Sequence, residues 1–462
     1  MKHPFGPGAL RPGFRAIWTL AAVAVSVPAL AATEVPVWYS MSGHNAEAFQ
    51  ALVKSYNQSQ SGVQVTLKAF ATPQALDQAL TAAAATKTLP ALAQMGDNHS
   101  LDDIAGRPYV QPFYTLEKLP ALKNVRWFLS SDNAFVRDPK GQLMAFPSML
   151  RIPVMYYNED AFKKAKLNPP VPQRTWMELQ AQLVTLANNG SRSCPLTSNL
   201  PVSINLENLA AVNNQLYASA DNGLKAKGLP SFSFDSTYVR HLSLMVTWVR
   251  SEIMVRPDAG VRSIQRFGQG ECAVLMSSSD HIGEFSGQRN LHYAVTGLPY
   301  YPDVTRSPGN PFVSGSALWV MKSSKPVTDA AASFLGWMAQ PKQAASWYQQ
   351  TGYLPLTQAA FEQTPASYYN NLGQWRNLVA VYAMRGAVTS QGFRIRNYPA
   401  IHARFEQIID NALDGKQSAV TALNTAAFEG NQLAHQGAPE AASHKSTRPV
   451  HHRAKASTSH RK

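Results

Sequence analysis

The chain has 462 residues, of which 45% are hydrophobic and 15% charged, enough apolar material for more than one core and too much for a disordered protein. Its formal net charge is +14, but much of the excess sits at the ends, in Lys2, Arg11 and Arg15 and in Lys445, Arg448, Arg453, Lys455, Arg461 and Lys462. The body is only mildly basic and has no dense basic stripe interleaved with aromatics, which argues against nucleic acid as a partner.

At the N-terminus a charged stretch precedes the apolar run 16–27, and Ala29-Leu30-Ala31 fits the small-x-small cleavage rule. Residues 1–31 are therefore predicted to be a cleaved signal peptide, because the run is shorter than the ~18 residues that span a bilayer. The two cysteines, Cys194 and Cys272, lie far from the cut. No lipid-attachment cysteine follows it, and the expected location is the periplasm, as a free protein. In that oxidising compartment the cysteines can form a disulfide, which would contribute roughly 4 kcal/mol by closing a long loop. Two buried thiols are the alternative.

After the cut, Val35-Pro36-Val37-Trp38-Tyr39-Ser40 reads as a strand ending in a polar loop. An amphipathic helix follows, with Phe49, Leu52, Val53 and Tyr56 at i, i+3, i+4, i+7 and Asn45 as its expected N-cap. Residues 63–70 alternate as a strand, 75–87 form an Ala-rich helix, and 90–95 a third strand. This order implies an α/β lobe with a largely parallel sheet, whose ligands bind at the carboxyl ends of the strands. The pattern then repeats, with a strand at 153–158, a short helix at 159–166 and a proline-rich loop. Thr175-Trp176-Met177-Glu178 is a capping box, in which hydroxyl and carboxylate each satisfy an orphan amide. The helix it opens is expected to stop at Asn188-Asn189-Gly190. Further helices are predicted at 237–251, 327–338, 342–350, 399–413 and 419–435. Residues 438–462 contain almost no large apolar side chain and are expected to be a disordered basic tail. His444, His451, His452 and His460 leave metal or an anionic membrane surface as alternative roles for it.

Tyr156-Tyr157-Asn158-Glu159-Asp160-Ala161-Phe162-Lys163-Lys164-Ala165, followed by Pro169-Pro170 and Thr175-Trp176-Met177-Glu178-Leu179, resembles the signature of the family-1 extracellular solute-binding proteins. Within that family the resemblance is strongest to members that bind glycerol-3-phosphate. It rests on Leu206-Glu207-Asn208, Gly270-Glu271-Cys272-Ala273, residues 315–321, Gln350-Thr351-Gly352-Tyr353-Leu354-Pro355 and Gly392-Phe393-Arg394, and runs from about Val35 to Leu433. Both cysteines fall where those relatives have theirs. The resemblance implies an α/β, two-lobe periplasmic-binding-protein fold with an interlobe cleft and a hinge. One discontinuous lobe would comprise 32–146 and 293–340, the other 147–292 and 341–437. It also implies delivery of the ligand to an ABC-transporter permease driven by a cytoplasmic ATPase, with no cofactor.

The resemblance further implies a phosphate clamp of Arg394, Tyr353, Ser278, Ser279 and the Gly315 amide. A guanidinium pairs two phosphate oxygens through parallel N–H donors, and hydroxyls with an exposed glycine amide cover the rest. Asp97 takes the place of a glutamate that receives the polyol hydroxyls. The polyol end otherwise departs from the pattern. Leu200 and Ser203 replace two tryptophans, Leu150 and Arg151 replace a serine pair, and Pro73 or Gln74 replaces a tyrosine. Arg151 thereby becomes a candidate site residue, and a glycerophosphodiester becomes an alternative to glycerol-3-phosphate. A neutral sugar or oligosaccharide is the other family option, and would require Trp38, Tyr39, Tyr114, Trp319 and Tyr353 in the cleft rather than in the core. Catalysis is not expected. The chain has no Gly-x-Ser-x-Gly elbow, His-Glu-x-x-His or phosphate-cradling Gly-x-x-x-x-Gly-Lys, and the contiguous Ser277-Ser278-Ser279-Asp280-His281 cannot converge as a triad does.

Overall fold

The computed structural model describes residues 1, 32–96, 100–189, 193–225 and 228–436. The predicted signal peptide (Met1 apart), Asp97, Gly190 and the predicted tail lie outside the described residues. Ten strands form two sheets: β1 (Thr33–Tyr39), β2 (Val63–Ala69), β3 (Leu92–Gly96), β4 (Val110–Gln111), β5 (Phe146–Arg151), β6 (Pro153–Asn158), β7 (Cys194–Ser198), β8 (Cys272–Ser278), β9 (Tyr293–Thr296) and β10 (Ser314–Met321). The first sheet runs β2-β1-β3-β10-β4, with β5 also on β10; the second runs β7-β8-β6-β9.

β1 pairs in parallel with β2 and β3, as alternating strand and helix dictate. β10 returns from far along the chain and runs antiparallel to β3, β4 and β5. The sheet is therefore mixed rather than largely parallel. The helix Pro73–Thr86 starts where Thr72 Oγ1 accepts the Ala75 amide. The helix Gly43–Ser59 has Ser42, not Asn45, at its N-cap; the Asn45 amide instead donates to Asp280 O at 3.1 Å. At the capping box Thr175 Oγ1 accepts the Glu178 amide, while the Glu178 carboxylate accepts from the Thr175 hydroxyl at 2.6 Å instead of from an amide.

The second sheet shows why its sequence reads as apolar on both faces. Along β6, Val154 and Tyr156 face one buried cluster, shared with the first lobe, while Met155 and Tyr157 face the other. That second cluster packs against the helices Trp176–Asn188, Ser236–Arg250, Tyr398–Leu413 and Ala419–His435 through Leu179, Trp248, Phe405 and Leu423.

Three lobe boundaries differ from those expected. The first lobe does not end at 146, because Phe146–Arg151 is β5 and pairs with β10 in the first sheet. The segment at 293 does not begin the return to the first lobe, because Tyr293–Thr296 is β9 and hydrogen-bonds along β6. The helix Pro341–Thr351 does not belong to the second lobe. Its Trp347 packs edge-on to Phe49 at 6.0 Å and donates its indole N–H to Ser148 O at 2.6 Å, both on the first lobe. Burial of Trp347 and Tyr348 outweighs sequence proximity to the elements that follow.

Cys194 and Cys272 are fully buried, face one another across the parallel β7–β8 pair, and are disulfide-bonded. The bridge spans 78 positions of sequence, so replacing both cysteines by alanine should lower stability by about 4 kcal/mol on the chain-entropy account. Equilibrium urea unfolding of the double variant beside the parent measures the difference.

Candidate functional site

The two sheets are joined where β5 ends at Arg151 and β6 begins at Pro153, with Ile152 alone between them. Several predicted site residues sit on the strands that meet here. Arg151 is opposite Ser314 and Leu150 opposite Gly315 on β10, while Pro153 is opposite Ser278 on β8. The Ser279 amide donates to Ile152 O at 2.8 Å, and the Leu354 amide to Leu150 O at 2.7 Å, which brings Tyr353 to the same place. Gly315 has φ +105°, and a Cβ there would lie 2.4 Å from Met149 O and 3.1 Å from Arg151 Cγ. Only glycine fits this crossing.

Three cavities meet around the crossing. The first, of about 210 Å³, lies between the lobes. Gly96, Arg151, Ser314 and Trp319 line it from the first lobe's strands, and Glu207, Ser278 and Tyr398 from the second lobe. Arg151 also lines the second, of about 440 Å³, with Gln94, Asp280, Ser316 and Tyr353. The first opens past Leu200, Ser203 and His402 into a trough of about 640 Å³ that reaches Pro73 and Gln74. The positions at which the chain departs from its glycerol-phosphate-binding kin thus line these spaces, Leu150 excepted.

The predicted residues separate on inspection. Ser278 lines the first cavity with its hydroxyl buried beside the Asp280 carboxylate, which it helps to keep ionised; its carbonyl accepts from the Tyr156 hydroxyl at 2.7 Å. Ser279 is fully buried, and its hydroxyl accepts the Ile152 amide at 3.3 Å, so it stabilises the crossing rather than facing a cavity. Gly315 lies between Ser314 and Ser316, which face different cavities. Tyr353 is nearly buried and stacks on Trp347 at 5.7 Å. Arg394 follows Gly392 and Phe393, which line the first cavity, but its own side chain turns behind them. One guanidinium nitrogen donates to Arg137 O, another lies 3.9 Å from Asp102, and Nε is buried with no partner. Burial lowers the Arg394 pKa, with Asp102 and Asp138 opposing the shift.

Arg151 Nη1 donates to Asp280 Oδ2 at 2.9 Å. Burial, the largest influence, opposes ionisation of Asp280, but the Arg151 and His281 charges and hydrogen bonds from Ser278 and Arg151 together outweigh it and hold the carboxyl below its ordinary value. Trp319, expected in the core, is only 2% exposed and donates to Met95 O at 3.1 Å, yet one edge reaches the first cavity. Trp38, Tyr39 and Tyr114 line none of the three cavities. Ser277 Oγ donates to Asn199 Oδ1 and has no part in a triad.

Glu207 and Asn208 carry family resemblance in the sequence without an expected role, and Tyr398 has no expected role either. The available signal was an acid inside an apolar run, Ile204-Asn205-Leu206-Glu207-Asn208-Leu209. Among the described residues no helix is long and apolar enough to cross a membrane, and no cluster of metal-ligating side chains is present.

The model of the bacterial extracellular solute-binding protein family matches residues 51–372. The sn-glycerol-3-phosphate-binding periplasmic protein UgpB of Rhizobium meliloti is 31% identical over 420 residues, covering 90% of this chain and 97% of the relative. Among solved structures, UgpB from Mycobacterium tuberculosis in complex with glycerophosphocholine superposes with a TM-score of 0.69 at 16% identity, over 87% of this chain and 98% of that one. Maltose-bound T. maritima MalE3 gives the same TM-score and identity over 87% and 100%. These structures share the two-lobe fold.

Replacing Arg151 by methionine leaves the Asp280 carboxylate buried without its cation. Because Arg151 is partly exposed, the expected loss is about 2 kcal/mol at neutral pH. A carboxyl held low in the folded state contributes stability above its unfolded pKa and loses it as pH falls through the folded value. The gap between variant and parent should therefore narrow in acid, which denaturant titrations across the acidic range measure.

Proposed function

The chain belongs to the bacterial extracellular solute-binding proteins, and from that premise we propose that it is the periplasmic substrate-binding component of an ABC importer. It captures glycerol-3-phosphate or a related glycerophosphodiester by closing its lobes, and hands it to the membrane permease without catalysis. The observation that carries the ligand reading is the cavity between the lobes at the β5–β6 crossing. There Ser278 and Arg151, the latter ion-paired with Asp280, share one wall between the lobes. The kinship to the sn-glycerol-3-phosphate-binding protein supports it.

Capture then works by exchange. A phosphate entering between the lobes accepts from Ser278 and draws Arg394 away from Asp102, 3.9 Å distant and largely exposed. Exchanging a loose ion pair for a bidentate one favours the bound state, because charge-assisted bonds strengthen as water leaves. The Arg394 Nε gains a partner in the same step. Tyr353 and the Gly315 amide approach from the first lobe, so a ligand held by both lobes stabilises the closed form.

The reading predicts that glycerol-3-phosphate or a glycerophosphodiester raises the melting temperature while maltose does not. Arg394→Ala should weaken affinity for the phosphorylated ligand by roughly 100-fold, the worth of one to two charge-assisted hydrogen bonds. A thermal-shift panel followed by calorimetric titration tests both. A response to maltose alone, or unchanged affinity in Arg394→Ala, would refute the phosphate reading.

A further inference from the structure

We propose that the helix His281–Ser286, carried by the second sheet, is a latch that docks on the first lobe, with Glu284 capping the first-lobe helix Gly43–Ser59 from the other side of the cleft. The inference goes beyond the ligand reading and does not depend on which ligand the cleft takes.

The latch helix follows β8 and precedes β9, both in the second sheet. Its own lobe anchors it. Phe285 packs edge-on to Tyr156 of β6 at 5.1 Å, and the Tyr293 hydroxyl of β9 donates to Ile282 O at 3.1 Å. Its other side lies on the first lobe. A Cβ on Gly283 would come within 2.3 Å of Gln350 O, 2.9 Å of His44 Cδ2 and 3.0 Å of Asn45 Oδ1, all first-lobe atoms. A Cβ on Gly352, just past the helix Pro341–Thr351, would meet Ser279 O at 2.3 Å and Ile282 Cβ at 2.6 Å. These two glycines let backbone meet backbone between the lobes. Within the seam the Asn45 side-chain amide donates to Asp280 O at 3.1 Å, and His44 Nε2 donates to Gln350 O at 3.0 Å.

The first-lobe helix has an incomplete start of its own. Among the described residues Ser42, at its N-cap, makes no side-chain capping bond, and its first turn has no acidic residue. Its leading amides and the positive end of its dipole therefore lack the usual local partner. The exposed Glu284 brings a carboxylate from the other lobe, with Oε2 accepting from the His44 amide at 3.4 Å.

Position sets the direction of the effect. The latch helix starts two residues after Ser279, which clamps the crossing, so a small displacement here becomes a larger one at the rim. His44, Asn45, Asp280 and Glu284 also line the second cavity, and the rotation that opens this cavity pulls the seam apart. The latch thus favours the near arrangement of the lobes. It adds the same increment to the affinity for any ligand that requires that arrangement.

The test measures lobe spacing in the ligand-free full chain, by double electron–electron resonance between spin labels on Lys54→Cys and Asn424→Cys. These positions are exposed, one on each lobe, and the native cysteines are tied in the disulfide. Glu284→Gln, at the surface, keeps the fold and removes the charge. It should move the ratio of near to far spacings toward far by roughly two- to fivefold, the worth of one charge at a helix start. Gly283→Ala should move it further in the same direction, because backbone blocks the added Cβ. If Gly283→Ala does not fold, Glu284→Gln decides alone. A distribution unchanged in Glu284→Gln, or a shift to nearer spacings in Gly283→Ala, would overturn the latch.

Discussion

Everything in the cleft depends on a single-residue crossing. β5 ends at Arg151 in one sheet and β6 starts at Pro153 in the other, with Ile152 between. Ser279 clamps Ile152 on both sides, its amide donating to the Ile152 carbonyl and its hydroxyl accepting the Ile152 amide. A one-residue joint fixes where the sheets meet and leaves rotation about that point as their cheapest relative motion. It also places the ends of β5, β8 and β10 together. Gly315 permits the close approach because it carries no Cβ.

Charge is distributed around this joint by burial. Arg151 and Asp280 neutralise one another across the crossing, so neither contributes an unpaired buried charge. Glu207, on the opposite wall, has tyrosines for partners instead of a cation. The disulfide ties β7 to β8 within the second sheet and does not cross the hinge. It stiffens the lobe that carries Ser278 and Glu207 without opposing closure, and packing around Trp347 does the same for the first lobe.

Local pattern made most elements legible. The strand at 153–158 and the helix at 419–435 match their expected limits, because alternation and helical period each leave one solution there. Long-range pairing was not legible. No periodicity says that β10 enters antiparallel beside β3, or that Tyr293–Thr296 joins β6. The site divided along the same line. Residue type with kinship reached Ser278, Gly315 and Arg151, which lie at or beside the cavity. Kinship could not tell that the Ser279 hydroxyl is consumed by Ile152, or that the Arg394 side chain turns toward Asp102. Glu207 escaped because a lone acid in an apolar run acquires meaning only when a cavity is seen beside it.

The central claim is that ligand is held between two rigid lobes that close about the β5–β6 crossing. Small-angle X-ray scattering of the protein alone and saturated with its phosphorylated ligand tests it most directly. The account predicts a smaller radius of gyration with ligand and a curve that fits the same two lobes rotated about the crossing. An unchanged curve at saturation would contradict it.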